Sequence, residues 1–472
     1  MPTFQLLNFG CRASQSDGAA IKRQLLESGL QEAEDITASQ VVVLNTCTVT
    51  ARADAEVRQL VRRIHRANPR CRILVTGCYA QRSPAEIAPL GGVAWVVGNS
   101  HKHVIADLLR NQESEVRSQE SGAPGQTKIV QVKPCERAPG ASSATFDLPV
   151  LPAPPETPPQ PAVLVGEIAE EFHFAPVFPD DRTRPTVKVQ DGCNARCSFC
   201  VIPSVRGRSR SLAPEKVVEQ VRELQQSGYK EIVLSGINLG SYGRDIDRRI
   251  TFLSLLEKLL AETAIARLRI SSIEPMDVSP ALIHLAAEEP RLAQHFHIPL
   301  QSGCSRILRL MNRRYWPAQY AERILAIRER IPNAGIGADV MVGFPGETDQ
   351  DHAASAAFIE SLPFTYLHIF PYSARPHTPA AALPQQVNGR VARERAQQIR
   401  ALLAPKRQAF LQAQIGRRLS AITLDESETG ERVALSSNYL RIVLPGLNLS
   451  PNTLLDVHVG RVHEGLLFGF AA

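Results

Sequence analysis

The chain has 472 residues, of which 44% are hydrophobic and 21% are charged, and its formal net charge is +6. The length predicts roughly two to four domains, and the composition is that of a globular protein with full cores. The nine cysteines are few, odd in number and partly clustered, which excludes a disulfide scaffold and favours a reducing compartment and metal ligation. The chain starts without a signal-peptide pattern and has no apolar run near the roughly 20 residues of a membrane span, so we expect a cytoplasmic protein without a membrane partner.

Residues 1–110 alternate short apolar runs with helical patterns, and this alternation predicts an N-terminal domain built on a parallel α/β sheet. The strand candidates are Phe4–Asn8, Val41–Asn45, Ile73–Thr76 and Trp95–Val97. Residues 111–182 are dominated by Gln, Glu, Ser, Pro and Gly, with proline densest over Leu148–Pro161, and we interpret them as an insert or linker. Cys135 lies within this insert, and we assign it no role.

Residues 183–404 alternate again, and six strand candidates predict a partial (β/α)6 barrel of the TIM type. The candidates are Thr186–Gln190, Glu231–Ser235, Arg267–Ser272, His295–Leu300, Gly337–Val342 and Tyr366–Tyr372. Distinctive loops follow these strands, and in such barrels the chemistry lies on the loops after the strands. Residues 405–472 are short and β-like, which predicts a small C-terminal antiparallel β-barrel. The predicted fold class is therefore α/β with a small β-barrel at the end.

Three cysteines, Cys193, Cys197 and Cys200, form a C-x3-C-x2-C motif in one short loop after the first barrel strand. Three thiolates can each bind one iron of a [4Fe–4S] cube, which leaves the fourth iron open to a small molecule. The alternative is a structural zinc site, but zinc usually takes four Cys or His ligands in two separated pairs, and no fourth ligand is near this triplet. The spacing therefore favours an iron–sulfur cluster.

A second set of cysteines, Cys11, Cys47 and Cys78, occurs once per strand–helix unit of the N-terminal domain, each just after a strand. The ends of successive parallel strands meet at one edge of a sheet, so we expect the three thiolates to converge there. Gly10 and Gly77 each precede one of these cysteines and leave room for a bulky inorganic group. We interpret the set as ligands of a second cluster, and the alternative is three separate buried cysteines.

With these two motifs the chain resembles the methylthiotransferases of the radical S-adenosylmethionine (SAM) superfamily. The resemblance covers a cluster-binding domain (1–110), a radical-SAM barrel (183–404) and a TRAM-like RNA-binding domain (405–472), and it leaves out the insert (111–182). Four segments resemble the branch that acts on N6-threonylcarbamoyladenosine in tRNA, and they are Asn45–Thr50, Val75–Gln81, Gln190–Cys193 and Phe370–Arg375. Ala13-Ser14, Ser204-Val205 and the insert depart from the family pattern.

The resemblance implies an enzyme that adds a methylthio group to C2 of N6-threonylcarbamoyladenosine at position 37, next to the anticodon of tRNA. It also implies two [4Fe–4S] clusters and two SAM molecules. One SAM is cleaved to a radical at the barrel cluster, and the other methylates a sulfur carried on the N-terminal cluster. A radical route suits an aromatic C–H, which has no acidic proton to remove. A flavodoxin- or ferredoxin-like electron donor and a sulfur source are further expected partners.

Polar residues on the barrel loops are the predicted SAM contacts, and they are Ser235, Gly236, Ser272, Glu274 and Gln301. The alternative is that these residues only close the loops of the barrel. The expected RNA partner is the tRNA anticodon stem-loop, and its target base must leave its stack to react. We predict that five residues contact this RNA, and they are Arg206, Arg208, Arg210, Tyr439 and Arg441. Arginine suits bidentate phosphate contact, although any one arginine is more often a solvated surface charge. A second group, Arg58, Arg62, Arg63 and Arg66, shares a helix.

Three other functions remain open from the sequence. The chain could be a methylthiotransferase that acts on isopentenyladenosine in tRNA or on a ribosomal protein. It could be a radical-SAM enzyme of different chemistry, in which the N-terminal cysteines are structural. It could also be an RNA-binding scaffold with a structural metal. Iron counting separates the second function from two-cluster chemistry, because two cubes hold about eight irons per chain and one cube holds about four.

Overall fold

The computed structural model describes residues 2–110, 160–168, 183–428, 430–447 and 449–472. Its N-terminal part is a six-stranded parallel sheet with the strand order β2-β1-β3-β4-β5-β6, which confirms the predicted sheet. The strands are β1 (Thr3–Asn8), β2 (Gln31–Glu32), β3 (Val41–Thr46), β4 (Arg72–Gly77), β5 (Val93–Gly98) and β6 (Ala162–Leu164). The last strand comes from residues that the sequence analysis placed in the insert, and it pairs in parallel with β5.

Helices cover both faces of this sheet. They are Arg12–Glu27, Ala51–Ala67, Cys78–Arg82 and Pro84–Ile87, followed by the 3-10 helix Asn99–Val104. The central strands β3, β4 and β5 are rich in β-branched residues and almost wholly buried, as in β3, where all six residues are buried. Helix Ala51–Ala67 begins at Thr50, whose Oγ1 accepts a hydrogen bond from the Ala53 N–H at 3.1 Å. The helices Arg12–Glu27, Ala51–Ala67 and Cys78–Arg82 begin shortly after the carboxyl ends of β1, β3 and β4.

The middle part is a six-stranded partial barrel, as predicted. It consists of two three-stranded parallel sheets with the orders β11-β10-β7 and β12-β13-β14. The strands are β7 (Thr186–Lys188), β10 (Glu231–Ser235), β11 (Arg267–Ile270), β12 (His295–His297), β13 (Gly335–Val342) and β14 (Tyr366–Pro371). A short antiparallel pair, β8 (Gln190–Asp191) and β9 (Arg210–Ser211), frames the cysteine loop. The barrel helices are Ile202–Arg206, Pro214–Gln226, Phe252–Glu262, Pro280–Glu288, Ser305–Leu310, Pro317–Arg330, Asp349–Ser361 and Gly389–Gln412.

The barrel is open between β7 and β14, since no pairing joins these two strands in the part of the chain that the structure describes. The N-terminal helix Arg12–Glu27 packs along β7 at this open side. The helix Cys78–Arg82 packs against the barrel helix Ile202–Arg206. The carboxyl edge of the N-terminal sheet is thereby held against the cysteine loop of the barrel.

The C-terminal part is a closed five-stranded barrel with the order β15-β16-β17-β19-β18. Its strands are β15 (Arg418–Glu428), β16 (Glu431–Ser436), β17 (Arg441–Leu444), β18 (Leu454–His463) and β19 (Leu466–Ala471). Four of its neighbouring strand pairs are antiparallel, as predicted, whereas β17 and β19 pair in parallel. Among the described residues, no helix has the length and apolar character needed to cross a bilayer.

The small barrel contacts the amino-terminal end of the large one. Arg269 Nη1 donates to the Ser437 carbonyl oxygen at 3.0 Å, and Arg267 Nη2 donates to Ser420 Oγ at 2.6 Å. Both arginines also pair with the fully buried Glu231. The cysteine loop lies at the opposite end of the barrel strands, so the small barrel closes the end away from it.

Candidate active site

The barrel cysteine loop follows β8 at the carboxyl end of the barrel. Gly192 opens the loop with a φ of +71°, and an added Cβ would stand 1.9 Å from the Arg208 carbonyl oxygen, so only glycine fits there. The N–H of Cys193 donates to the Gly207 carbonyl oxygen at 3.0 Å, and the N–H of Cys200 donates to that of Cys197 at 3.1 Å. These bonds fold the three cysteines into one compact turn.

Two of the three barrel thiols have pKa values that are raised in part by the charge of a neighbouring thiol. The pKa of Cys200 is raised to about 12, first by burial and then by the negative charges of Cys197 and Cys193. Burial, with the charge of Cys197 adding to it, also raises the pKa of Cys193. Such mutual effects require sulfurs that lie close together. Metal binding would replace the thiol protons, because thiolates are the ligands of iron.

A cavity of about 450 Å³, called the first cavity below, opens beside this loop with Cys197 in its wall. Arg313 Nη1 donates to Cys197 Sγ at 3.3 Å, and the same guanidinium pairs with the Glu274 carboxylate. Asn238 also lines the cavity, and its side-chain nitrogen stands 4.0 Å from Cys193 Sγ. The Asn238 Oδ1 is buried without a hydrogen-bond partner in the described protein. The wall therefore offers charged and neutral groups to a polar ligand.

The second set of thiols meets at the carboxyl edge of the N-terminal sheet. Cys11 follows β1, Cys47 follows β3, and Cys78 begins the helix after β4. The pKa of Cys47 is raised to about 12, first by burial and then by the charges of Cys78 and Cys11. Gly10 has a φ of +111°, and an added Cβ would stand 2.5 Å from the Cβ of Cys47. This glycine lets the first cysteine loop pass close to the second.

Cys78 accepts hydrogen bonds from two side chains. Asn99 Nδ2 donates to its sulfur at 3.5 Å, and Arg206 Nε donates at 3.3 Å. Arg206 comes from the barrel, so the contact crosses from one part of the molecule to the other. A nearby cation that donates a hydrogen bond favours the thiolate form of a cysteine, which is the form that binds iron.

Both sets of thiols fit three-thiolate ligation of an iron–sulfur cube. Each set brings three mutually close cysteines to one place, and each has N–H donors from other side chains directed at sulfur, an arrangement that tunes and orients cluster ligands. Within the described ranges, no three His, Cys, Asp or Glu side chains are arranged around a single metal ion. The thiolates of a cube bind three different irons and need no such single centre.

A second cavity, of about 340 Å³, adjoins the barrel cysteine loop and the segment that follows Cys47. Phe199 and Cys200 of the barrel loop line one side, and Val49 and Thr50, just after Cys47, line another. The remaining wall residues are mostly apolar or aromatic, and they are Val201, Ile202, Gln301, Met341, Phe370, Pro371, Tyr372, Ser373 and Arg375. Apolar and aromatic walls around a space of this size suit a planar ring such as a nucleobase.

The five predicted SAM residues lie at the same end of the barrel, but only two of them line a cavity. Ser235 ends β10 and Gly236 follows it, whereas Ser272 and Glu274 follow β11. Glu274 lines the first cavity and Gln301 lines the second. Gln301 has a φ of +62°, and its buried Oε1 has no hydrogen-bond partner among the described residues. SAM contact by these residues stays a prediction.

Three of the predicted RNA contacts follow the cysteine loop, and two of them are buried. Arg206 is 2% exposed and forms ion pairs with Asp17 and Asp191, and Arg210 is 8% exposed and donates to the Arg206 carbonyl oxygen. Burial removes both from contact with RNA phosphates, which corrects the prediction for them. The sequence could not reveal this, because the carboxylates that draw Arg206 inward come from other segments. Arg208 is exposed, as the prediction requires.

The two predicted RNA contacts in the C-terminal barrel are also engaged within the protein. Tyr439 is half-buried, stacks on His295 with the ring centroids 4.2 Å apart, and accepts a hydrogen bond from Arg12 Nη2 at 3.2 Å. Arg441 is exposed, but it pairs with Glu426 at 2.6 Å and with a second carboxylate at 3.6 Å. Both side chains are therefore already engaged in contacts within the protein.

Sequence reasoning missed Arg313, Asn99 and Asp17, which support the cysteines. Arg313 stands beside a second arginine in the run Asn312-Arg313-Arg314-Tyr315, and nothing in the run distinguishes the one that reaches a sulfur. Asn99 and Asp17 lie in helical turns that carry no motif. These contacts depend on the packing of distant segments, which a local pattern does not encode.

Two family profiles match the chain. The profile described as "Radical SAM superfamily" matches residues 187–359, and the profile described as "Uncharacterized protein family UPF0004" matches residues 3–98. The first match contains the barrel cysteines, and the second contains the three cysteines of the N-terminal sheet. The two thiol sets therefore belong to two separately recognised domains.

Curated relatives match the chain over most of its length. "Threonylcarbamoyladenosine tRNA methylthiotransferase MtaB" of Aquifex aeolicus is 36% identical over 93% of this chain and 95% of its own length. The protein of the same name from Bacillus subtilis is 34% identical over 94% of this chain and 91% of its own length. A "tRNA-2-methylthio-N(6)-dimethylallyladenosine synthase" of Pelotomaculum thermopropionicum is 32% identical, over 84% of this chain and 81% of its own length.

Solved structures resemble this fold at low sequence identity. The radical SAM methyltransferase TsrM from Kitasatospora setae, with a tryptophan substrate and a SAM analogue bound, has a TM-score of 0.53 at 16% identity. The match covers 81% of this chain and 75% of that one. A second TsrM structure, with cobalamin and a [4Fe-4S] cluster, has a TM-score of 0.52 at 15% identity, and covers 81% of this chain and 77% of its own. The likeness supports the fold described above.

Proposed function

This chain belongs to the radical-SAM tRNA methylthiotransferases, and we propose that it transfers a methylthio group to C2 of N6-threonylcarbamoyladenosine next to the tRNA anticodon. The observation that carries this proposal is the second cavity, whose wall contains Cys200 and two residues that follow Cys47, Val49 and Thr50. A base in this cavity would have Cys200 on one side and the loop after Cys47 on another. The reaction needs this placement, because C–H activation and sulfur delivery must reach the same carbon atom.

We propose two [4Fe–4S] clusters as the resident cofactors. Cys193, Cys197 and Cys200 would hold the cluster that works with SAM, and Cys11, Cys47 and Cys78 would hold the cluster that carries the transferred sulfur. When bound, the first cluster and SAM supply a 5′-deoxyadenosyl radical, which activates a C–H bond that has no acidic proton. The support is that the charges of neighbouring thiols help to raise the pKa values of Cys47 and Cys200, together with the side-chain N–H groups directed at sulfur in each set.

The first cavity is the proposed SAM site, and its residues hold and orient the ligand. The Glu274 carboxylate can accept hydrogen bonds from an amino group or from ribose hydroxyls, and the unpaired Asn238 Oδ1 is a second acceptor. Arg313 keeps Glu274 beside Cys197, because one guanidinium contacts both. We retain Ser235, Gly236 and Ser272 as neighbouring contacts at the same end of the barrel.

The walls of the second cavity would hold the target base. Phe199, Phe370 and Tyr372 offer aromatic faces for stacking, which is tolerant of base identity and is worth about 1–3 kcal/mol per base. The unpaired Gln301 Oε1 can accept a hydrogen bond from a base N–H. Mostly apolar walls also exclude water, which protects a reactive radical from side reactions.

The choice of threonylcarbamoyladenosine rests on the relatives. Those with that name reach 36% identity and share 93% of this chain, whereas the dimethylallyladenosine synthase of P. thermopropionicum shares 84% at 32% identity. The segments around Cys47 and Cys78 resemble the same branch. Methylthiolation of isopentenyladenosine is the second candidate, because relatives of both names match this chain.

We propose that the anticodon stem follows the helix Ala51–Ala67. This helix begins beside the second cavity, where the Ala51 N–H donates to Ser373 Oγ at 3.0 Å. Its arginines Arg62, Arg63 and Arg66 are exposed and form no ion pair with any described residue, whereas Arg52 pairs with Glu56 at 2.7 Å. Unpaired guanidinium groups that lead away from a base cavity suit the phosphates of an RNA stem.

Delivery of electrons and of sulfur requires partners that the chain does not supply. We propose a flavodoxin- or ferredoxin-like electron donor, because reductive cleavage of SAM consumes one electron, and a separate sulfur source, because each turnover removes one sulfur atom. A reducing cytoplasm is the proposed location. The eight cysteines in the described residues are all unpaired thiols, which suits that compartment.

The test is mass spectrometry of tRNA nucleosides from a strain that lacks this gene, with and without a plasmid-borne copy. We expect the deletion to remove 2-methylthio-N6-threonylcarbamoyladenosine, to accumulate its unmethylthiolated precursor, and to be reversed by the plasmid. A copy with Cys200→Ala should not restore the modification. Loss of 2-methylthio-isopentenyladenosine instead would favour the second candidate, and an unchanged nucleoside profile would refute tRNA methylthiolation.

A further inference from the structure

Five charged side chains form a buried network where the N-terminal part meets the barrel. Asp17 and Lys102 come from the N-terminal part, and Lys188, Asp191 and Arg206 come from the barrel. The side chain of Lys102 is 12% exposed, and the other four are 7% exposed or less. Of these groups, the proposed function uses only Arg206, through its contact with Cys78, and buried charges are costly unless they are paired.

Two ion pairs of this network, Lys188–Asp17 and Arg206–Asp17, cross between the two parts. Lys102 Nζ stands 2.7 Å from Asp17 Oδ2, and Lys188 Nζ stands 2.7 Å from Asp191 Oδ2 and also pairs with Asp17. Arg206 Nη2 stands 2.9 Å from Asp17 Oδ2, and its Nη1 donates to both oxygens of Asp191 at 3.0 Å. Both ends of the guanidinium are therefore occupied by carboxylates.

The third nitrogen of Arg206 is directed at a sulfur. With Nη1 and Nη2 fixed by two carboxylates, Nε donates to Cys78 Sγ at 3.3 Å. Arg206 is also the last residue of the short helix Ile202–Arg206, which begins two residues after Cys200. One short segment thus contains the final barrel cysteine and the arginine that contacts the other set of cysteines. Because two carboxylates hold the guanidinium, it cannot turn away from Cys78.

A fixed cation beside a cluster ligand has a defined electrostatic consequence. Reduction adds one negative charge to an iron–sulfur cluster, and a cation that donates a hydrogen bond to a ligand sulfur stabilises the more negative form. The site is buried, so solvent does not screen this effect strongly. The barrel thiols Cys193 and Cys200 have no contact with Arg206 among the described hydrogen bonds, so the effect should be specific to one cluster.

We propose that Arg206 is a positioning residue that fixes the Cys78 thiolate and raises the reduction potential of the cluster bound by Cys11, Cys47 and Cys78. The inference rests on the proposed function, since it requires that cluster. The network explains why the arginine is built into the barrel and not into the N-terminal domain.

The test is a redox titration of the anaerobically reconstituted full chain, followed by electron paramagnetic resonance. For Arg206→Gln we expect the N-terminal cluster to be reduced with a roughly tenfold lower equilibrium constant, a shift of about 59 mV to more negative potential. The barrel cluster should keep its potential, which provides an internal reference. Signals are assigned with the triple variant C193A/C197A/C200A, which keeps only the N-terminal cluster.

Arg206→Lys is the conservative variant, and it carries the test if the glutamine variant does not retain the cluster. A lysine keeps the charge inside the network but cannot contact two carboxylates and a sulfur at once, so we expect a shift in the same direction and of smaller size. In either variant Lys102 stays beside Asp17, and Lys188 stays beside both Asp17 and Asp191. An unchanged potential of the N-terminal cluster in these variants would overturn the proposal.

Arg395→Gln is the matched control. Arg395 is 6% exposed and pairs with Glu347 at 2.7 Å and Asp349 at 2.8 Å, and no described hydrogen bond links it to a sulfur. The Arg395→Gln variant also loses a buried arginine. An equal shift in the reduction potential of its N-terminal cluster would therefore also overturn the proposal. Failure of the proposed function looks different, because wild-type protein would then hold only about four irons per chain.

Discussion

Gly10 sets the distance between two cysteines of the N-terminal set. Its φ of +111° and the 2.5 Å between an added Cβ and the Cys47 Cβ leave no room for alanine. We expect Gly10→Ala to displace Cys47 and to prevent assembly of the N-terminal cluster, so that reconstituted protein holds about four irons per chain in place of about eight. Iron analysis and Mössbauer spectroscopy of the purified variant measure this directly.

Gly228→Ala is the control for this substitution. Gly228 has a φ of +92°, but an added Cβ would meet no atom within 4 Å. The control therefore carries only the backbone strain of a left-handed conformation, about 1–2 kcal/mol, and should keep the full iron content. Retention of about eight irons by Gly10→Ala would contradict the assignment of Cys47 as a ligand.

Residues with a local signal could be predicted from the sequence, and residues with only distant partners could not. Cys193, Cys197 and Cys200 stand within one turn, so their spacing alone indicates shared ligation. Arg206 stands only six residues further on and was predicted to contact RNA. Its burial depends on Asp17, which is 189 residues away in the chain. No pattern in the sequence connects two such positions.

The helix Ala51–Ala67 is the element on which tRNA binding can be tested. We expect the triple variant R62Q/R63Q/R66Q to bind an anticodon stem-loop more weakly and to lose about one unit of the salt-dependence slope for each phosphate contact removed. The proper measure is fluorescence anisotropy of a labelled stem-loop at several salt concentrations. The cluster content should stay unchanged, because the three side chains are exposed.

A triple variant on another helix controls for net charge. Arg393, Arg400 and Arg407 are exposed on the helix Gly389–Gln412, and their replacement by glutamine removes the same three charges. We expect this variant to keep the salt slope of the wild type. Equal losses in the two triple variants would show that only total charge matters, and the helix Ala51–Ala67 would then not be the RNA surface.

At the scale of elements, periodicity predicted the large parts of the fold and missed one small part. The four predicted N-terminal strands and the six barrel strands are present, because short apolar runs alternate with helical patterns along both parts of the chain. Strand β6 has only three residues and follows a proline-rich stretch, so it has no periodicity to detect. Its position is determined by the free edge of β5, against which it pairs.

The contact between the two barrels contributes to the stability of the whole molecule. Glu231 is fully buried there and pairs with Arg269 at 2.7 Å, with Arg267 at 3.2 Å and with Arg184 at 3.4 Å. Burial alone would raise the pKa of Glu231, but the three arginines lower it to about 2. The folded state therefore binds this proton less readily than the unfolded state, in which the pKa is about 4.3.

The sign of the pH dependence follows from that difference. The carboxylate stabilises the folded protein above about pH 4.3, and the contribution is lost as the pH falls from there towards the folded-state pKa. We expect Glu231→Gln to lower the free energy of unfolding by about 3 kcal/mol at pH 7, and the difference from the wild type to narrow below pH 4. Urea unfolding followed by circular dichroism over this pH range measures it.

Glu219→Gln supplies the comparison for that experiment. Glu219 pairs with Lys216 at 2.7 Å, but both side chains are more than half exposed. Exposed pairs of this kind contribute at most about 1 kcal/mol, so the control should unfold almost as the wild type does at every pH. If the free energy of unfolding of Glu231→Gln equalled that of the wild type, the folded protein would hold the three arginines without loss of stability in the absence of their shared carboxylate.

Arg12, the residue after Cys11, donates a hydrogen bond to the hydroxyl of Tyr439 in the C-terminal barrel. A truncation after residue 412 would therefore do more than remove an accessory module. It would leave the arginines around Glu231 facing water and the first cysteine loop without its distant anchor. We expect such a shortened protein to accumulate in insoluble form, and attempts to obtain a minimal two-domain enzyme should retain the small barrel.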